Sequence, residues 1–328
     1  MNIAILSICE SGTGNTTSAR RIGKHLETAG HTTRYICLRE STAEVLREIE
    51  SVHTDLIIGF HAYGSGKHLL HTQIPYFIIF GGTDINELSK DADKLQVMTH
   101  VVQNAQKCIA YSEAVEAKAK TLWPDIRKKI SIIEQGVAVN PSSFSLRQTL
   151  SLEPADILFL LPAGLRDVKD PLYLIEEIQK WHVEDAHINL VIIGVKRDPL
   201  YTEKVQSIAD ASQCIHLLDA IPQEDLHAAM LDATAVLNTS KSEGCCNAIL
   251  EAMALGTPVI VRAIPGNIAI VQHKHTGLVF DDPKQWHKQA KLLIENPTLA
   301  SMLSDNAKRY IQEHHNVDAE QKNYVATI

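Results

Sequence analysis

Long apolar runs are missing from this chain. No stretch reaches the ~20 consecutive apolar residues that a membrane-spanning helix needs, and the opening "MNIAILSICE" has neither the basic region nor the small-residue cleavage site of a secretory signal. Basic excess is missing as well: the formal net charge is -8, whereas a nucleic-acid partner requires a basic stripe to neutralise phosphates. The six cysteines lack metal-ligand spacing. They are too few and too dispersed for a disulfide framework in so long a chain, so a reducing, cytoplasmic setting is expected.

What is present is apolar content and rhythm. With 45% hydrophobic residues over 328 positions the chain can bury a large core, and its length favours two domains. Short β-branched runs recur, each followed by a helical pattern: "NIAILSI", "RYICL", "DLIIGFHA", "YFIIFGG", "CIAYS" and "ISIIEQG", then "ILFLLPAG", "INLVIIG", "IHLLD", "AVLNTS", "PVIVR" and "GLVF". Continuous apolar strands alternating with helices predict parallel sheets covered on both faces. The polar, Pro-containing "VAVNPSSFSLRQTLSLEPAD" separates the two sets as a linker. Two doubly wound α/β domains are therefore expected, at 1–145 and 146–310, with 311–328 as a C-terminal helix returning to the first. Such sheets bind ligands at the C-terminal ends of their strands, here across a cleft between facing domains.

The first strand runs into "SICESGTGNTTSARR", a loop of small and hydroxyl residues ahead of a helix. A Walker A loop would need Gly at 9 and Lys at 15, where Cys9 and Asn15 stand; a Rossmann fingerprint would need Gly at 17, where Thr17 stands. Amides around Gly12, Gly14 and Asn15 can still meet an anion. The stretch Ser11 to Thr16 also resembles the phosphate loop of flavodoxins. That reading would leave residues 150–328 without a purpose, and only Tyr63 lies near to sandwich a flavin ring; a yellow protein would support it.

The most informative stretch is "SEGCCNAILEAMALGTPVIVRAIPGN". It places Glu243 and Gly244 in a loop after a strand, opens a helix near Asn247, and stops it at Gly256 before Pro258. Positions 243–260 resemble the signature of the retaining nucleotide-sugar glycosyltransferases of GT-B fold, E-x7-E followed by a strand. The resemblance implies that Glu243 bonds hydroxyls of the donor sugar and Glu251 grips the ribose diol, since a carboxylate accepts two O–H bonds at once. It implies that backbone N–H groups of Gly244, Cys245, Cys246 and Asn247 meet the sugar and the diphosphate, with Gly194 in the same nucleotide-binding set. Cys245 and Cys246 stand where many members have Phe-Gly, and adjacent cysteines alone make a poor metal site.

Cleaving a sugar from a nucleoside diphosphate builds negative charge on the leaving group, so a metal-free site needs fixed cations at the β-phosphate. Arg166 and Lys169 in "LPAGLRDVKDPLYLIEE" are the candidates, although the common family pattern has its Arg five residues before the Lys, where this chain has Gly164. The resemblance also assigns His61, at the end of "DLIIGFHA", to the reacting centre; a lone histidine is otherwise more often structural. Thr83 and Asp84 in "IIFGGTDINE" are candidates for sugar or acceptor contact, beside a turn reading of the glycines. "GLRDVKDP" and the His61 strand resemble, more distantly, bacterial selenosugar synthases, which implies that the acceptor is small and anionic.

Other features are given plainer readings. "DAD" at 91–93 imitates a metal motif but sits at a polar helix start; "QHKH" and "QEHHN" lack ligand-spaced partners, and no metal is expected. The basic "KAKTLWPDIRKK" touches membranes in some glycosyltransferases, but charge runs are usually solvated faces. The reading is a retaining, metal-independent glycosyltransferase using a UDP-linked donor and no cofactor, with the donor on the second domain and an acceptor, small molecule or glycan, on the first. Its rivals are a catalytically silent UDP-sugar-binding protein, a nucleotide-sugar epimerase or hydrolase, and an FMN protein. Oligomeric state is left open.

Overall fold

The structure is a computed structural model that describes residues 1–9, 14–39, 41–70 and 72–328. Its first sheet comprises β1 (Asn2–Ser7), β2 (Thr32–Cys37), β3 (Leu56–Phe60), β4 (Tyr76–Ile79), β5 (Lys107–Ala110) and β6 (Ile130–Ile132). The second comprises β7 (Ile157–Pro162), β8 (Ile188–Ile193), β9 (Ile215–Leu218), β10 (Ala235–Asn238), β11 (Val259–Arg262) and β12 (Leu278–Phe280). Every residue of β3 and of β8 is buried, as strands covered by helices on both faces must be.

Both sheets are parallel and six-stranded, ordered β2-β1-β3-β4-β5-β6 and β12-β11-β10-β7-β8-β9. Winding reverses between β1 and β3 in the first sheet and between β7 and β10 in the second. Connections leave in opposite directions at these points and open a crevice beyond the strands' C-terminal ends. Asn15 and His61 follow β1 and β3; Arg166, Lys169 and Glu243 follow β7 and β10.

The chain divides into two compact units. One contains Met1–Gly136, Glu243–Cys245 and His315–Ile328; the other contains Val137–Ser242 and Cys246–His314. The change at Gly136–Val137 falls ahead of the boundary expected at 145, because the intervening segment is bonded into the second unit. The Asn140 amide donates to His227 Nδ1 at 3.1 Å, and Ser142 bonds the Glu224 carbonyl and the Asp225 carboxylate. In the second core Phe159 packs edge-on to Trp286 at 5.2 Å and Trp181 lies 6.0 Å from each. In the first, Phe80 stacks on Trp123 at 5.5 Å.

The tail expected as helix from Pro297 is two helices, Pro297–His314 and Val317–Thr327. Asn316 breaks the run by capping the second, its side chain accepting from the amides of Asp318 and Ala319. Glu320 then fastens that helix to Gly14–Thr28: its buried carboxylate takes Arg21 Nε at 2.7 Å, Arg21 Nη2 at 3.0 Å and His25 Nε2 at 2.8 Å. Burial alone would raise the Glu320 pKa, but the bonds from His25 and Arg21 prevail and hold it below the ordinary value.

One cysteine pair was not anticipated. Cys9, two residues past β1, and Cys37, the last residue of the neighbouring strand β2, are joined in a disulfide with Cα atoms 5.3 Å apart. Dispersion along the sequence concealed the pair, because parallel pairing aligns Ser7 with Cys37 and so brings Cys9 to the same end of the sheet. A single bond of this kind is not the disulfide framework that the sequence excludes. Among the described residues no helix is long and apolar enough to cross a membrane.

Candidate active site

In the first unit the polar groups gather on His61. It follows β3 with φ +70°, a left-handed backbone that costs a non-glycine residue about 1–2 kcal/mol. Three amides hold the turn by donating to one buried carboxylate. Asp84 Oδ2 accepts from Ala62 N at 2.8 Å and Gly81 N at 3.2 Å, and Oδ1 accepts from Tyr63 N at 3.3 Å. The same Oδ2 lies 3.3 Å from His61 Nδ1, and Asn15 Nδ2 lies 2.7 Å from His61 Nε2. Gly81 makes room for the ring: a Cβ there would lie 2.0 Å from His61 Cε1.

Asp84, a candidate for sugar or acceptor contact, is thus fully buried with its carboxylate committed to the His61 turn. Thr83 lies half-buried on the short helix Gly82–Asn86. Gly14 and Asn15 open the helix Gly14–Thr28, while Gly12 lies outside the described residues. The residues Glu243–Cys245 belong to this unit, where the Glu243 carbonyl faces Asn86 Nδ2 at 3.4 Å. A Cβ on Gly82 would lie 2.3 Å from the Gly244 nitrogen, so glycine is required at this approach.

The second unit supplies the cations. Lys169 ends a 3-10 turn, Asp167–Lys169, and Arg166 precedes it in extended conformation. Both are half-buried. The turn is tied to the end of β10: Thr239 Oγ1 donates to the Lys169 carbonyl at 3.1 Å, and the Lys241 amide donates to the Val168 carbonyl at 2.9 Å. Asp170 follows with φ +46° and accepts from Arg262 Nη1 at 3.0 Å. Arg262 also bonds the Thr239 carbonyl and stacks on Tyr173, 3.8 Å from the ring centre. At the neighbouring strand end Gly194 is indispensable, because a Cβ would lie 2.0 Å from the Ala163 oxygen.

Glu251 stands on the helix Asn247–Leu255 and is only 8% exposed, so it is no solvated surface carboxylate. Its Oε1 accepts from Gln223 Nε2 at 2.8 Å. His227, whose Nδ1 accepts from the Asn140 amide and which therefore carries its proton on Nε2, presents that N–H 3.7 Å from Glu251 Oε2. A buried carboxylate with donors arrayed on it, and one oxygen outside hydrogen-bond distance of the nearest donor, suits a further pair of O–H groups. Cys246 caps the helix from a buried position, its Sγ 3.2 Å from Asn238 Nδ2; Cys245 is half-buried and Asn247 is the first helical residue. Gly256 closes the helix at φ +82°.

Sequence reasoning missed Asp170, Gln223, His227 and Arg262. Only tertiary placement beside Lys169 and Glu251 singles them out, although "GLRDVKDP" and "PQEDLHAAM" already stood out as stretches. The plainer readings hold where Asp91 caps the helix Ala92–Asn104 through the amides of Asp93 and Lys94. Within the basic stretch, Lys120 pairs with Glu116 and Lys129 Nζ donates to the carbonyls of Gln103 and Ala105. Among the described residues no three His, Cys, Asp or Glu side chains gather as a metal-ion site.

Comparison with known proteins adds the following. Residues 143–310 match the family model "Glycosyl transferases group 1". The chain is 39% identical over 339 aligned positions to a Xenopus tropicalis protein named "Glycosyltransferase 1 domain-containing protein 1", covering 100% of this chain and 97% of that one. Among solved structures, sucrose-phosphate synthase of Thermosynechococcus elongatus superposes with a TM-score of 0.80 at 19% identity, covering 99% and 97% of the two chains. Anabaena Alr3699/HepE in complex with UDP-glucose superposes with a TM-score of 0.82 at 16% identity, covering 100% and 99%. The fold is GT-B.

Proposed function

Because this chain belongs to the glycosyl transferases group 1 family, we propose that it is a retaining, metal-independent glycosyltransferase. It moves a hexosyl or N-acetylhexosaminyl group from a UDP-linked donor to an acceptor. The observation that carries the reading is Glu251: a carboxylate kept at 8% exposure, eight residues beyond Glu243 in the E-x7-E pattern, with a side-chain donor already aligned on one oxygen. Burying such a group is costly unless hydroxyls or other donors complete it. The ribose diol of a nucleotide supplies two. HepE, which shares the fold, was solved with UDP-glucose, and this supports uridine as the base.

In this reading Lys169 and Arg166 meet the β-phosphate and neutralise the charge that develops as the glycosidic bond breaks. The amides of Gly244 to Asn247 hold the sugar and diphosphate, Glu243 bonds the sugar hydroxyls, and His61 stands at the reacting centre. Retention follows from front-face displacement, in which the departing phosphate oxygen takes the acceptor's proton.

Calorimetry with UDP, UDP-glucose and UDP-N-acetylglucosamine, followed by turnover with acceptor mixtures, tests the proposal. UDP binding that Glu251→Ala weakens, together with sugar transfer, is the expected result. Tight binding without turnover in any mixture would make the protein a sugar-nucleotide sensor; turnover without acceptor would make it a hydrolase or epimerase.

A further inference from the structure

We propose that Asp84 is the positioning residue for His61, fixing its ring as the Nδ1–H tautomer so that Nε2 meets the substrate as a hydrogen-bond acceptor. The inference rests on the transfer reaction proposed above and specifies the chemistry of one of its contacts. Asp84 has no exposure to solvent, and its carboxylate already accepts three backbone amides, from Ala62, Tyr63 and Gly81. Both of its oxygens are engaged as acceptors, so each faces its neighbours with lone pairs. With Oδ2 at 3.3 Å, the nitrogen facing it, Nδ1, must carry the proton; a bare Nδ1 would oppose lone pair to lone pair.

Geometry leaves the ring no other seat. The backbone of His61 is left-handed at φ +70°, and the ring fills the space that Gly81 vacates by lacking a Cβ. Each element depends on the same carboxylate, because the amides that hold the turn and the proton that orients the ring bind one side chain. Asn15 completes the arrangement from the opposite side, its Nδ2 donating to Nε2 at 2.7 Å. The acceptor role is therefore already exercised without substrate. The group that takes Asn15's place is a hydrogen-bond donor, such as a sugar or acceptor hydroxyl, and not a carbonyl or phosphate oxygen.

The test is nitrogen-15 NMR of the full chain labelled at histidine, with His61 assigned by its loss in His61→Gln. The wild-type ring at neutral pH is expected as the Nδ1–H tautomer. Asp84→Ala, which removes the acceptor facing Nδ1, is expected to shift the ring to Nε2–H, the form a free neutral imidazole favours, and to lower kcat at least tenfold with little change in donor KM. Asn15→Ala is expected to keep the Nδ1–H form. A wild-type ring found as Nε2–H or as imidazolium would overturn the proposal, and so would a folded Asp84→Ala that keeps the wild-type tautomer. Should Asp84→Ala not fold, the wild-type spectrum alone decides. Tautomer is read without turnover: a missing transfer reaction would remove the proposed function and leave the Asp84 assignment to stand or fall by the spectrum.

Discussion

The two units share a sheet plan and differ in what they do with charge. In the first, carboxylates are buried and serve as hubs: Glu320 gathers Arg21 and His25, and Asp84 gathers three amides and His61. In the second, Glu251 is buried as well, but the cations stand half-buried at strand ends, where Lys169, Arg166 and the Arg262–Asp170 pair line the exits of β7 and β11. A buried hub fixes geometry and is costly to break, because removing one partner leaves the other charged and unsolvated. Half-buried cations at strand ends are reachable from solvent. The first unit locks its charges into internal bonds; the proposed function gives the second the task of receiving a diphosphate.

The sharpest way to break this contrast is Glu320→Ala. It strands Arg21 in the interior and is expected to cost about 3–5 kcal/mol, read as a fall in melting temperature with earlier proteolysis of the C-terminal helix. An exposed-pair cost below about 1 kcal/mol would contradict the hub. Next in size is Lys169→Ala, expected to lower turnover more than tenfold, or about 1.4 kcal/mol or more of transition-state stabilisation, while the melting temperature stays close to wild type. The opposite pattern, a stability loss with intact turnover, would reverse the roles assigned to the units.

Smaller effects sharpen the comparison. Arg262→Lys loses the stacked, planar contact to Tyr173 and the fixed bond to Asp170, and is expected to lower kcat on the order of a few-fold by loosening the Lys169 turn. Acid titration tests the Glu320 hub. The folded-state pKa of Glu320 is depressed, so its contribution is present above the ordinary carboxyl value of 4.5 and is lost as pH falls through the lower, folded value. Melting temperature followed from pH 7 to pH 3 should fall more shallowly in Glu320→Gln than in wild type; parallel curves would contradict the linkage. The smallest change concerns Cys9 and Cys37: alkylation under denaturing, non-reducing conditions should label Cys108, Cys214, Cys245 and Cys246 only. Six labelled cysteines would contradict the Cys9–Cys37 bond.

The strand rhythm was legible because strands buried on both faces are dominantly apolar, as β3 is throughout and β8 is but for Asn189. The helix that carries Glu251 was legible too, opening near Asn247 and stopping at Gly256 as the sequence signals it. What escaped depends on which strands become neighbours. Cys9 and Cys37 meet because β1 pairs with β2, and Arg262 meets Asp170 because β10 brings the exits of β7 and β11 together. Asp84 shows the other limit: the sequence offers a polar residue in a glycine turn, and only the fold decides that its carboxylate turns inward to the backbone rather than outward to a ligand.

The central claim is that second-unit residues receive a uridine diphosphate sugar. A crystal structure with UDP-glucose or UDP-N-acetylglucosamine bound tests it most directly. The account predicts the ribose diol on the carboxylate of Glu251 and the diphosphate against Lys169 and Arg166. A nucleotide bound elsewhere, with Glu251 still closed on Gln223 and His227 and no phosphate near Lys169, would contradict it.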